Sequence, residues 1–154
     1  MEEKIFVTPK ELFDKITPEL LAGKTVLFTV SGSSMLPAAG GGRDKALAEL
    51  CDRKKLRRLD VVVVRTDSGR YLMHRITKLT EFGFYLCGDW NEKGDGFFRF
   101  DQIVAQITEF ERKGKRIRLE SPFWRAVFGI WVFAKPVRPA LKKLCCAVSK
   151  TRTE

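Results

Sequence analysis

Asp60-Val61-Val62-Val63-Val64-Arg65-Thr66-Asp67-Ser68-Gly69-Arg70-Tyr71-Leu72-Met73-His74-Arg75-Ile76 reads as two strands and the turn between them. Residues 60–65 hold an unbroken valine run, the pattern of a strand buried on both faces. Asp67-Ser68-Gly69 has the chemistry of a turn. Residues 70–78 then return as the second strand of a hairpin. Strand alternation puts Tyr71, Met73 and Arg75 on one face and Leu72, His74 and Ile76 on the other. The chain's single histidine therefore lies on an otherwise apolar face. A histidine so placed is ordinarily a satisfied core group. As a neutral imidazole it is also able to take a proton from a hydroxyl.

Outward from this hairpin the strand pattern continues. Residues 25–30 are rich in β-branched and aromatic side chains and read as a strand. Residues 82–87 form another, ended by Gly88-Asp89. Residues 97–101 lead into 102–111, a Lys113-Gly114 turn and a strand over 115–119, a second hairpin. Residues 45–51 fit a short strand or a short helix. Residues 52–58 are a basic, exposed run. Before the first strand, Thr8-Pro9-Lys10-Glu11 is a helix start with a capping box. Leu12, Phe13, Ile16, Leu20 and Leu21 follow at helical spacing, a face for packing on a sheet. Pro18 is expected to bend or divide this helix, and Gly23 to end it. Many short strands joined by polar turns predict a mainly β chain, a barrel or rolled sheet. The expected organisation is an N-terminal helical segment (1–24), a β domain (25–120) and a C-terminal helical tail (121–154).

With 154 residues and 44% hydrophobic content, the chain is long enough for one real core. Its net charge of +10 admits nucleic acid, an anionic membrane surface or acidic polypeptides as partners. Nothing like a helix-turn-helix precedes the first strand, so no nucleic-acid partner is expected. The four cysteines contain no CxxC pair, and with one histidine neither a zinc site nor a cofactor is expected. They read as reduced thiols, and no apolar leader follows Met1. The expected location is accordingly the cytoplasm or a membrane facing it, not the exterior. From Ser121 onward the composition shifts. Residues 126–134 are all apolar or glycine, and the only acidic residue in 121–154 is Glu154. That run is too short to span a bilayer. It fits a helix lying at a membrane interface, with lysines on anionic lipid. Its rival is a helix packed on the barrel.

A second stretch carries candidate chemistry: Val30-Ser31-Gly32-Ser33-Ser34-Met35-Leu36-Pro37. A hydroxyl on a small-residue turn at a strand end is accessible to a peptide carbonyl. Ser34 is thus a candidate nucleophile if a base lies elsewhere in the chain. Asp89, in Gly88-Asp89-Trp90-Asn91, and Asp95, in Lys93-Gly94-Asp95-Gly96, are the candidates to orient His74. Asp44 and Asp60 read as turn formers.

Taken in order, Gly32-x-Ser34-Met35-x-Pro37, Asp60-Val61-Val62, His74-Arg75-Ile76 and Gly88-Asp89-x-Asn91 resemble the signature boxes of the S24/S26 serine peptidases, the signal peptidases and LexA-like self-cleaving repressors. The resemblance covers roughly residues 25–111. Gly42-Arg43-Asp44 resembles a Gly-Arg-Asp segment of small bacterial members. Leu59 stands where a glycine usually precedes the aspartate, Trp90 where the last box has asparagine, and Ser33 where glycine often precedes the nucleophile. The resemblance implies a coiled β-barrel, with Ser34 as nucleophile. It also implies His74 in place of the lysine base of many members, as in endoplasmic-reticulum-type signal peptidases. Asp95 is the favoured orienting residue, and Asp89 a supporting one, with little to separate them. The implied activity is a serine endopeptidase cleaving a signal or leader peptide. The alternative is a catalytically inactive peptide-binding or regulatory module on the same fold. The implied partner is a protein or peptide substrate, with a possible membrane surface met through 121–154.

Overall fold

In the computed structural model, residues 8–140 and 143 are described. The valine run forms β3 (Val61–Arg65) and the returning segment β4 (Tyr71–Leu79), paired antiparallel with Val62 opposite His74. All four valines are fully buried. Val61 and Val63 enter one apolar cluster, and Val62 and Val64 enter another on the opposite face. The alternation expected along β4 holds. Tyr71 and Met73 pack on the first cluster, and Leu72 and Ile76 belong with the second.

The sheet is antiparallel throughout, in the order β1-β2-β7-β3-β4-β5-β6. Its other strands are β1 (Val26–Thr29), β2 (Lys45–Glu49), β5 (Phe84–Cys87), β6 (Gly96–Phe98), β7 (Ile103–Arg112) and β8 (Lys115–Arg118). The long β7 pairs β3 on one edge and β2 on the other. β8 turns back at Lys113-Gly114 and takes the β3-side edge of β7 beyond the end of β3. The chain is therefore mainly β, with eight strands in one antiparallel sheet. Residues 45–51 resolve as strand. Ala46 and Ala48 are fully buried, while the residues between and beside them are not. That is a period of two, which alanine's helix propensity obscures in the sequence.

Helix α1 (Pro9–Leu21) has the expected capping box: the Thr8 side chain accepts from the Glu11 amide, and the Glu11 carboxylate accepts from the Thr8 amide. It runs through Pro18 as one helix, contrary to the expected division. Pro18 stands in the last turn, where it removes one donor and leaves the earlier turns intact. Phe13, Ile16 and Leu20 bury the helix on the first cluster. Phe13 meets Phe28 edge-on at 5.5 Å and stacks on Tyr71 at 5.0 Å.

Helix α2 (Pro122–Phe133) and a 3-10 turn (Lys135–Val137) follow β8. Phe128 is buried in the first cluster, and Trp124 packs against it. The expected basic helical stretch over 140–150 lies, apart from 140 and 143, outside the described residues, as do Cys145 and Cys146. Cys51 and Cys87 are free thiols. Burial pushes the Cys51 thiol up to about 11.

Candidate active site

The serine turn is held by the glycine-rich loop that follows it. The Val30 amide donates to the Asp44 carbonyl at 2.9 Å, and the Gly42 amide to the Val30 carbonyl at 2.9 Å. The Gly41 amide donates to the Gly32 carbonyl at 2.8 Å. Two glycines are required here. Gly32 adopts φ +78°, which side chains disfavour, and a Cβ on Gly41 would stand 2.5 Å from the Gly32 nitrogen. Met35, Ala38 and Ala39 anchor the loop in the first cluster. Asp44, expected as a turn former, is instead a fully buried anchor. Its carboxylate accepts from the Gly40 amide and from the Arg43 and Arg112 guanidiniums. The Arg43 hydrogen bonds are the main cause holding its carboxyl down at about 2.

Ser34, half-buried at this turn, places its Oγ 2.9 Å from His74 Nε2. His74 Nδ1 lies 2.7 Å from Asp95 Oδ2. His74 is 5% exposed. An ionised carboxylate only accepts, so Nδ1 carries the proton. Nε2 is then the acceptor for the Ser34 hydroxyl. The line Ser34–His74–Asp95 joins positions 40 and 21 residues apart in the chain. A hydroxyl hydrogen-bonded to an imidazole that a carboxylate holds in one tautomer is an activated nucleophile.

Asp89 is not part of that line; of the two candidate aspartates, Asp95, the favoured one, is the one that meets His74. Its carboxylate accepts twice from Arg75, at 2.7 Å each, and both side chains are 1% exposed. The Arg75 guanidinium also donates to the Leu59 carbonyl at 2.8 Å and lies 4.2 Å from the Phe128 ring centre. Each charge is thus met by a partner, which a buried ion pair requires. Leu59, standing where the resembling boxes carry glycine, adopts φ +78°. That left-handed conformation costs a leucine about 1–2 kcal/mol.

The segment after β5 also braces Ser34. The Trp90 amide donates to the Ser34 carbonyl at 2.8 Å. A Cβ on Gly88 would fall 2.8 Å from that carbonyl oxygen, so glycine permits the approach. Asp60, also expected as a turn former, is buried and accepts from the Arg57 amide at 2.9 Å and from Arg125 of α2 at 2.6 Å. Arg75 and Arg125 carry structural roles that no sequence pattern assigned. Arginine beside a buried aspartate leaves no local signal when the two lie 14 or 65 residues apart.

No protein-family model matches the chain, and no curated protein matches it.

Proposed function

We propose that the chain is a serine endopeptidase of the S24/S26 type, built on a coiled β-barrel and acting on a signal or leader peptide. The observation that carries this reading is the hydrogen-bonded line from Ser34 Oγ through His74 to Asp95. An antiparallel sheet with apolar clusters on both faces of β3 supports the barrel.

In the proposed mechanism Ser34 Oγ attacks the scissile carbonyl while His74 Nε2 takes its proton. The carbonyl π electrons move to oxygen, giving a tetrahedral oxyanion. The Ser34 amide donates to no group among the described residues, which leaves it free to stabilise that charge. Collapse expels the amine, protonated by His74, and leaves an acyl-enzyme. Water, deprotonated by His74, then releases the acid and restores Ser34. Asp95 keeps Nδ1 protonated and stabilises the imidazolium formed at each transfer.

The test is cleavage of a co-expressed candidate precursor together with labelling by a fluorophosphonate. The reading expects both, and expects both to disappear in Ser34→Ala and His74→Ala. Cleavage that survives both substitutions overturns it. Precursor binding without labelling points instead to the inactive peptide-binding module.

A further inference from the structure

Every exposed side chain of α2 and of the 3-10 turn after it is apolar. Phe123, Val127, Ile130, Phe133 and Val137 recur at helical spacing along one face. Ile130 is 72% exposed and Phe133 74%. Pro122, Ala126 and Pro136 occupy the gaps and are exposed too. The opposite face is already committed to the sheet. Phe128 is buried there, Arg125 bonds Asp60, and the Trp131 Nε1–H donates to the Asp89 carbonyl at 2.7 Å. A helix on a protein surface ordinarily turns charge outward, and this one turns none.

We propose that this face of α2 docks on an anionic phospholipid bilayer, with the helix lying in the plane of the interface. Its charge surroundings favour lipid over a second copy of the chain. Residues 121–143 contain no aspartate or glutamate. The Arg58 guanidinium sits 5.3 Å from the Phe133 ring centre at the end of the stripe, and Lys135 follows it. Two copies joined face to face would set these cations against each other with no acidic partner in the segment. An anionic surface meets them with opposite charge and covers the apolar stripe. Among the described residues no helix is long and apolar enough to cross a membrane. The bound state is therefore one in which α2 lies on the bilayer without spanning it.

The docked helix is joined to the candidate site through its other face. Trp131 stacks on Trp90 at 6.0 Å, and the Trp90 amide holds the Ser34 carbonyl. The helix that carries the stripe is thus two contacts from the nucleophile's backbone. If Ser34 is the nucleophile, the substrate class is a peptide segment borne by, or emerging from, the same bilayer. That consequence rests on the peptidase reading, whereas the docking does not.

The full chain carrying Ser34→Ala is sedimented with vesicles of mixed phosphatidylcholine and phosphatidylglycerol, and with phosphatidylcholine alone. Binding to the mixed vesicles, weakened by salt and by removal of the anionic lipid, is expected. Ile130→Glu with Phe133→Glu is expected to lower partitioning roughly tenfold or more, with an unchanged circular dichroism spectrum. Phe123→Ser, at the other end of the stripe, gives the second reading should the double variant fail to fold, and it too is expected to weaken binding. Absence of binding to the mixed vesicles overturns the proposal. So does equal binding by the stripe variants. A concentration-dependent dimer that the substitutions abolish, without vesicle binding, assigns the face to a second copy. Because binding is read on Ser34→Ala, its failure leaves the peptidase reading standing. Failure of cleavage likewise leaves the docking standing.

Discussion

Ser34 Oγ and His74 Nε2 stand 2.9 Å apart, although one belongs to a glycine-rich turn after β1 and the other to the middle of β4. Val62 of β3 pairs with His74, so the imidazole is fixed by a ladder two strands deep in the sheet. The hydroxyl is fixed by the loop zipped back along residues 40–44 and by the Trp90 amide. A short hydrogen bond between two independently braced elements is the geometry a nucleophile and its base require.

Asp95→Asn separates orientation from attack. The amide has the shape of the carboxylate but favours the wrong tautomer of His74. Fluorophosphonate labelling is expected to slow by roughly 10²–10⁴-fold, with the unfolding midpoint little changed. A rate equal to that of the parent protein would remove Asp95 from the site.

Asp89→Ala acts on stability instead. It strands the Arg75 guanidinium, 1% exposed, without its bidentate partner. Urea denaturation is expected to show a loss of about 3–5 kcal/mol. An unchanged midpoint would mean that the pair contributes nothing to the fold.

Gly88→Ala tests the brace behind Ser34. Its Cβ would meet the Ser34 carbonyl oxygen at 2.8 Å, and that atom is backbone rather than a flexible tip. Displacement of the turn is expected to cost about 1–3 kcal/mol and to slow labelling of Ser34. Unaltered labelling kinetics would show that the turn tolerates the shift.

Acid is expected to loosen the serine loop through Asp44. Its carboxyl is held at about 2 in the folded chain, against an ordinary value of 3.8. A lowered folded value contributes stability above the ordinary value, and that contribution is lost as pH falls through the folded one. Chemical denaturation across that window is expected to lose about 1–2 kcal/mol through this group, discounted because Arg43 is half exposed. In Asp44→Asn this part of the pH dependence disappears. Persistence of the full dependence in the variant would assign it to other groups.

Much of this architecture is legible in local sequence. The valine run, the turn at residues 67–69 and the alternation along β4 each depend on neighbours within a few positions, and the capping box at Thr8 does too. The short strand β2 is not legible, because Ala46 and Ala48 suit a helix as well as a tightly covered strand. The anchoring roles of Asp44 and Asp60 are hidden for a different reason. A turn aspartate and a buried ion-pair aspartate look alike until the distant arginine arrives.

The sequence by itself determined the candidate nucleophile and base, since there is one histidine and one serine turn of the right kind at a strand end. Only the tertiary structure decided between the two aspartates. Asp89 and Asp95 lie six positions apart in one loop, with similar turn chemistry. Their partners, His74 and Arg75, are consecutive residues of β4 and so point to opposite faces of the sheet. Chain closure after β5 carries Asp95 to the histidine face and Asp89 to the arginine face. The same dependence on packing decided α2. Its composition admitted both an interfacial helix and a packed one, and the sheet took up one face, leaving the other apolar and exposed.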